Sequence, residues 1–237
     1  MFQASQTVAE IATRHPESVR VFQRLGIDFC CGGGLSLSEA CAKKGLAVTA
    51  TLEALDSEAQ RGLREAPPPV EGRLADLVTY LLDTHHVFTR QELERLAPLA
   101  DKVARVHGER HSELVEVRAL FVALSDDLVS HLAKEEQILF PYIKARELAQ
   151  LEGGPEPSRC FGDVDGPVAV MRMEHETAGD ILRRLRTVTG GYAPPPDACG
   201  SYRALYHGLE ALEADLHTHI HLENNVLFPR ALALEGR

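Results

Sequence analysis

The sequence has 237 residues, of which 44 % are hydrophobic, so it can bury the core of one large domain or two smaller ones. Its formal net charge of −10 argues against a nucleic-acid partner and an anionic membrane surface, and no apolar run approaches the ~20 residues of a transmembrane helix. Aromatic residues make up only 5 %, while leucine and alanine are abundant, so we predict an all-α protein.

The cellular compartment follows from the N-terminus and the cysteines. The first residues lack the basic-then-apolar order of a signal peptide. The five cysteines are an odd number without the spacing of a disulfide framework. These features predict a cytoplasmic protein with reduced thiols.

Residues 1–65 have the pattern of short helical pieces and are predicted to form a small N-terminal domain. Pro16 is placed for the first turn of one helix. Ser36 or Ser38 is a candidate cap for the next helix, and Glu39 follows Ser36 at the spacing of a capping box.

A proline-rich linker over residues 66–73 is predicted to separate that domain from residues 74–237. Four long helical patterns follow the linker. They begin near residue 74 and then cover about 109–148, 168–188 and 201–233. Polar connections that contain glycine and proline join them, which predicts an up-and-down four-helix bundle.

Adjacent cysteines, Cys30 and Cys31, precede three glycines at positions 32–34. A turn of this kind exposes backbone N–H groups, and a following helix N-terminus would favour a thiolate. We expect reduced thiols suited to soft-metal binding, redox chemistry or capture of nitric oxide. The alternative interpretation is a tight turn whose cysteines are incidental.

The most informative pattern is a repeat of histidine and glutamate. Each copy has a histidine, a second histidine 44 or 45 residues later, and a glutamate four residues after that. The first copy is His86, His131 and Glu135, and the second copy is His175, His219 and Glu223. Both copies then run into Leu-Phe-Pro, so a duplicated helical hairpin is indicated.

The repeat predicts a metal site with pseudo-two-fold symmetry. Residues four apart lie on the same helix face, so each histidine–glutamate pair can reach one point inside the bundle. Four imidazoles and two carboxylates exceed the needs of a tetrahedral zinc site and fit two octahedral-leaning metals, iron or manganese. Bridging glutamates and a shared oxo or hydroxo group would leave one open position per metal. The alternative is an old duplication without metal, whose buried polar groups would be costly.

The repeat register also selects among neighbours. It favours His86 over His85, which is out of step with the apolar face, and Glu135 over Glu136, which aligns with Asn224.

Four polar residues beside the candidate ligands receive ordinary interpretations. His217 and His221 each lie two residues from His219 and are expected to point to other faces. Asp127 could support a ligand histidine and Glu174 could line the approach to the metal, but we interpret both as surface carboxylates.

The phrase at residues 28–33 and the segments 131–141 and 219–229 resemble signatures of the repair-of-iron-centres family, the ScdA/YtfE group of di-iron proteins. The resemblance extends over essentially the whole chain. It implies a hemerythrin-like bundle with two non-haem irons, in a homodimer of the bacterial cytoplasm. By position, the six repeat residues match the family's histidine ligands and bridging carboxylates. One departure is Asp127, where the longer glutamate is expected.

The resemblance also implies a function, namely repair of iron–sulfur clusters damaged by nitrosative or oxidative stress through iron supply. The partners would be damaged iron–sulfur proteins, with nitric oxide or dioxygen as small ligands. The alternatives are reduction of nitric oxide at the two irons and reversible binding of nitric oxide or oxygen as a sensor. Whether the chain is an enzyme therefore stays open at this point.

Overall fold

The computed structural model describes residues 2–60, 68–158 and 161–236. The all-α prediction is confirmed, because regular structure in these ranges is helical and β-pairing is limited to an isolated bridge between Thr7 and Ser36. Parts of the predicted N-terminal domain and linker, residues 61–67, lie outside the described residues, and the domain boundary stays a prediction. Among the described residues, none of the helices has the length and apolarity needed to cross a membrane.

Residues 2–60, the described portion of the N-terminal part, contain four short helices. They are α1 (Val8–Arg14), α2 (Ser18–Leu25), α3 (Leu37–Lys44) and α4 (Val48–Gln60). The capping box at Ser36 and Glu39 is present at the start of α3. Pro16 is not in the first turn of α2, because that helix begins two residues later with Glu17 as its N-cap.

Over residues 68–158 and 161–236, the remaining helices form four long helical segments. Their α-helical parts are α5 (Leu74–Tyr80), α6 (Val87–His107), α7 (Glu113–Lys134), α8 (Phe140–Glu152), α9 (Asp165–Val188), α10 (Gly200–Leu222) and α11 (Phe228–Ala233). Three π-helical segments, Leu81–His86, Glu135–Leu139 and Glu223–Leu227, join α5 to α6, α7 to α8 and α10 to α11. The predicted helical patterns are therefore present, with shifted ends.

The prolines of the repeat do not end their helices. Pro141 lies in α8, which continues to Glu152, and Pro229 lies in α11. Before each proline the helix widens, since the N–H of the residue preceding it donates to a carbonyl five residues back, that of Glu135 or Glu223. A proline has no N–H to donate and fits where the α-helical hydrogen-bond pattern is already interrupted.

The chain divides into two compact units. One contains residues 1–80, 146–156 and 217–237, and the other contains residues 81–145 and 157–216. The first unit holds an apolar cluster built on the N-terminal helices. Its fully buried members include Val8, Ile11, Phe22, Leu37 and Leu55.

The second unit holds the core of a four-helix bundle. Its apolar cluster takes side chains from α6, α7, α9 and α10, among them Leu96, Phe121, Leu182 and Leu212. Leu93, Leu96, Leu182 and Leu185, which occupy matching positions in the two copies of the repeat, all belong to it. The predicted bundle is thereby confirmed, and the hydrophobic effect acting on these side chains is what holds its helices in place.

Replacing Phe121 by alanine should lower the free energy of unfolding by about 3–5 kcal/mol, because the ring is buried in this core and its removal leaves a cavity. Val170 on α9 is 42 % exposed, so Val170→Ala is the control. Urea unfolding followed by circular dichroism measures both. Equal midpoints for the two variants would contradict the core assignment.

Candidate metal centre

The histidines of the first copy of the repeat converge on the carboxylate of Glu135. The Nε2 atoms of His86 and His131 lie 3.5 and 3.4 Å from Oε2 of Glu135. His175 approaches the same place, with its Nε2 atom 3.1 Å from Nε2 of His131. All four side chains are buried, so these polar groups converge where bulk water is excluded.

The second copy supplies a similar pair. Nε2 of His219 lies 3.0 Å from Oε1 of Glu223, and both side chains are buried. His219 lies in the last turn of α10 and Glu223 begins the π segment that follows, so the pair is one turn apart, as its spacing predicts.

Among the residues that the structure describes, two groups of four satisfy the geometry of a metal site. Within each group, one potential ligand atom from every member lies within 4.8 Å of the others. The groups are His86, Glu135, His219 and Glu223, and His131, Glu135, His175 and Glu223. The structure therefore gathers all six residues of the repeat, and the two glutamates belong to both groups.

Three of these six residues lie within π segments. Glu135 and Glu223 each begin a π segment, and His86 is the last residue of another. Short π segments inside α-helices often occur at functional sites, since the extra residue changes the direction of the side chains. These π segments were not predicted from the sequence, although the repeated Leu-Phe-Pro after each glutamate was an available signal.

Glu136 orients the His86 ring from outside. Its Oε1 atom accepts a hydrogen bond from Nδ1 of His86 at 2.9 Å, and both of its oxygens accept from Arg90 at 2.9 Å. Partial burial tends to raise the pKa of Glu136, but the bonds from His86 and Arg90 outweigh it and lower the pKa. The carboxylate fixes the proton on Nδ1, so the lone pair of Nε2 faces Glu135.

Glu174 has the same role for His131. Its Oε2 atom accepts from Nδ1 of His131 at 2.9 Å, and its other oxygen accepts from Lys134. Burial tends to raise the pKa of Glu174, but these two partners outweigh it and lower the pKa. The expectation of an ordinary surface carboxylate is wrong at Glu174. Asp127, in contrast, is exposed as expected.

His85 is also not an ordinary surface residue. It is buried, and its Nδ1 atom lies 2.9 Å from Oδ1 of Asp215. Asp215 is the repeat equivalent of Asp127, 88 residues later. The apolar register excluded His85 from the candidate ligands, but it could not predict this buried pair, since the partner lies 130 residues away.

The donor set fits iron. Glu135 and Glu223 have no exposed surface, and a buried carboxylate is costly unless a cation or hydrogen bonds compensate its charge. Each group offers two imidazoles and two carboxylates without a thiol, which suits iron or manganese better than structural zinc.

Asp28 organises the cysteine loop, residues 28–34. Its Oδ1 atom accepts from the backbone N–H groups of Cys30 and Cys31 at 3.1 and 2.9 Å, and from the Cys30 thiol at 3.3 Å. Burial tends to raise the pKa of Asp28, but these bonds and one from Gly32 lower it. Gly33 permits the turn, because a Cβ atom there would lie 2.6 Å from the carbonyl oxygen of Phe29.

The two thiols differ. Cys30 is buried, and the hydrogen bond with Cys31 together with burial raises its pKa well above the usual range. The expectation of a thiolate is therefore wrong at Cys30. Cys31 is exposed, and the Sγ atoms are 3.9 Å apart and not joined in a disulfide. The accessible thiol of the loop is thus that of Cys31.

His221 points towards the cysteine loop, in agreement with the expectation that it lies on another face than His219. It is 1 % exposed, and Nδ1 lies 3.1 Å from the carbonyl oxygen of Phe29 in the cysteine loop. A carbonyl only accepts, so Nδ1 carries the proton and Nε2 accepts from the hydroxyl of Thr13 at 3.3 Å. Burial lowers the pKa of His221 to about 4, so the ring is neutral at pH 7.

Comparison with known proteins yields two families and several full-length relatives. The family described as Hemerythrin HHE cation binding domain matches residues 77–231, and ScdA_N, described as Domain of Unknown function (DUF542), matches residues 4–59. The chain is 37 % identical over 241 aligned residues to the iron-sulfur cluster repair protein YtfE of Musicola paradisiaca (strain Ech703), with 100 % of both chains covered.

Proteins of the same name from Escherichia coli O8 (strain IAI1) and Shigella boydii serotype 4 (strain Sb227) are also 37 % identical, over 233 residues, with 97 % of this chain and 98 % of each relative covered. The hemerythrin match covers more than half of the chain, and the identity extends over its whole length. This chain therefore carries a hemerythrin domain and belongs to the family of YtfE-type iron–sulfur cluster repair proteins.

Proposed function

We propose that this chain repairs iron–sulfur clusters damaged by nitrosative or oxidative stress, and that it does so as a di-iron protein. The observation that carries the proposal is the pair of buried four-residue groups that share two glutamates. The relatives bear the name iron-sulfur cluster repair protein, which supports the same activity here. Bound iron would supply ferrous ions for a damaged cluster and a redox-active pair of metals.

The six repeat residues are the proposed ligands. His86 and His219 would hold one iron, His131 and His175 the other, and the shared glutamates, one from each copy, would bridge them. A bridging oxo or hydroxo group would complete the site. Nitrogen and oxygen ligands bind ferrous iron less tightly than thiolates bind soft metals, which makes release to a client plausible on chemical grounds.

The remaining proposals concern partners and location. Damaged iron–sulfur proteins are the clients, and nitric oxide or dioxygen are the small ligands at the open positions. The exposed thiol of Cys31, with Cys30 beside it, would assist the transfer. The cytoplasm is the proposed compartment, because its reducing conditions suit both free thiols and ferrous iron.

The iron-loaded chain should restore activity to an iron–sulfur enzyme whose cluster has been damaged by nitric oxide, beyond what an equal amount of free ferrous iron achieves. Glu135→Gln should lose most of the iron and the repair activity, because Glu135 belongs to both ligand groups. Iron analysis of the purified protein and recovery of the client enzyme's activity are the two measurements.

Glu176→Gln is the matched control for this experiment. Glu176 is exposed and lies next to His175, so the change should leave iron content and repair intact. About two irons per wild-type chain are expected, from the two groups of ligands. Recovery no better than that with free ferrous iron would refute the repair function, and a folded chain without iron would refute the metal site.

The outer carboxylates, Glu136 and Glu174, should control iron affinity without touching the metal. Each orients a histidine through Nδ1, and loss of such partners typically weakens metal binding roughly 10- to 100-fold. Glu136→Gln and Glu174→Gln should therefore release iron to a chelator faster than wild type, while Glu176→Gln releases it at the wild-type rate. Unchanged release from both variants would exclude the orienting role.

We also propose that the chain forms a homodimer through one face of α7. Val115, Val122 and Val129 are 61, 45 and 49 % exposed and lie seven residues apart, so they form one apolar stripe along the helix. The equivalent positions of the second copy, 88 residues later, hold polar residues, namely Arg203, Glu210 and His217. The bundle fold therefore does not require valines there.

The charges beside the stripe predict how two copies would pair. Arg118 lies four residues before Val122 and Asp126 four residues after it. In an antiparallel pair centred on Val122, each Arg118 would face Asp126 of the other copy, and Val115 would face Val129. A parallel pair would instead place like charges together. A self-complementary surface of this kind is what a two-fold dimer needs.

Arg118→Asp and Asp126→Arg should each weaken the dimer by about tenfold or more, since either change places like charges opposite one another. The double exchange should restore dimerisation by recreating both pairs in reverse. Sedimentation velocity over a series of concentrations measures the dissociation constants. Asp180→Arg, at an exposed position on α9, is the control. A monomeric wild type, or a double variant as weak as the single ones, would contradict this interface.

A further inference from the structure

The cysteine loop and one pair of metal-site residues are held by the same short stretch of chain. His219 and Glu223 are candidate ligands, and His221 and Asn225 alternate with them along the helix. The side chain of Asn225 donates from Nδ2 to the carbonyl oxygens of Phe29 and Cys30, at 3.4 and 3.1 Å.

We propose that His221 and Asn225 are positioning residues that hold the cysteine loop and couple the accessibility of its thiols to metal binding at His219 and Glu223. The inference rests on the proposed di-iron function and extends it, because it assigns a means by which the metal site and the thiols act together.

The contacts of His221 support the first half of this proposal. Its ring joins the Phe29 carbonyl on one side to the Thr13 hydroxyl on the other, so α1, the cysteine loop and α10 are linked through one buried side chain. Its ring also contacts the ring of Phe29, with the centroids 5.6 Å apart, and His217 meets the same ring edge-on at 6.1 Å.

The π segment Glu223–Leu227 supports the second half. It begins with the candidate ligand Glu223 and contains Asn225, so a single residue, Asn224, lies between them. Drawing the Glu223 carboxylate towards a metal ion orders this segment, and the amide that holds the Phe29 and Cys30 carbonyls is ordered with it. The loop is then held more firmly when metal is bound.

The first copy of the repeat offers an internal comparison. The equivalents of His221 and Asn225, 88 residues earlier, are Ala133 and Gln137, and Gln137 is exposed. Both copies thus keep the ligand glutamate and the π segment, whereas the two polar side chains that bind the cysteine loop occur in the second copy. Glu135 and Glu223 belong equally to the candidate metal site, so metal binding does not explain why His221 and Asn225 occur in the second copy. Their contacts with the cysteine loop do explain it.

The rate at which iodoacetamide labels Cys31 tests the coupling, read peptide by peptide with mass spectrometry on the full chain. In wild type, labelling should be slower with iron bound than in the metal-free protein. Asn225→Ala removes two hydrogen bonds to the loop and should speed labelling about tenfold in the iron-loaded protein, so that the rate no longer depends on iron. Cys199, which is exposed, is the internal reference.

Gln137→Ala is the matched control and should leave the Cys31 rate and its dependence on iron unchanged. Asn225→Asp is the second variant, because it keeps the size of the side chain but sets a carboxylate against two carbonyl oxygens, and it should have the same effect as Asn225→Ala. Equal labelling with and without bound iron in wild type would overturn the coupling, as would a retained iron dependence in both Asn225 variants. A wild-type chain that binds no iron would overturn the proposed function itself.

Discussion

The structure depends on the burial of two carboxylates, Glu135 and Glu223, among imidazoles. Neither glutamate has exposed surface, and a buried negative charge is tolerated only where cations or hydrogen bonds compensate it. Four histidines lie around them, and every ligand atom in each group is within 4.8 Å of the others. The helices must therefore position each of these side chains accurately. The large apolar core shared by α6, α7, α9 and α10 supplies the rigidity that such accuracy needs.

The two copies of the repeat have kept the ligands and diverged around them. In the first copy, Glu136 orients His86 and is itself neutralised by Arg90, whereas the equivalent of Glu136 in the second copy is Asn224. The second copy instead carries Asn225, which binds the cysteine loop. Pseudo-symmetry is thus strict at the six candidate ligands and relaxed where each hairpin has a different neighbour.

The cysteine loop shows how local chemistry can separate two adjacent thiols. The Asp28 carboxylate accepts hydrogen bonds from the backbone N–H groups of Cys30 and Cys31. The neighbouring thiol and burial raise the pKa of Cys30, so its thiol stays protonated. Cys31 is left accessible. The N-terminus of α3 does not create a thiolate at Cys31 as expected from the sequence, because α3 begins at Leu37, six residues beyond Cys31, and the field of a helix terminus falls off within about one turn.

Composition and the apolar helical patterns were enough to predict the all-α bundle. The spacing of histidine and glutamate was enough to predict the six residues that come together at the candidate site, because a 3.6-residue period places residues four apart on one face whatever surrounds them. Partners that are distant in sequence required the tertiary structure. Glu136 reaches His86 across 50 residues, Glu174 reaches His131 across 43, and His221 reaches Phe29 across 192. No periodicity encodes such contacts, since they depend on which helices become neighbours, and packing of the whole chain decides that.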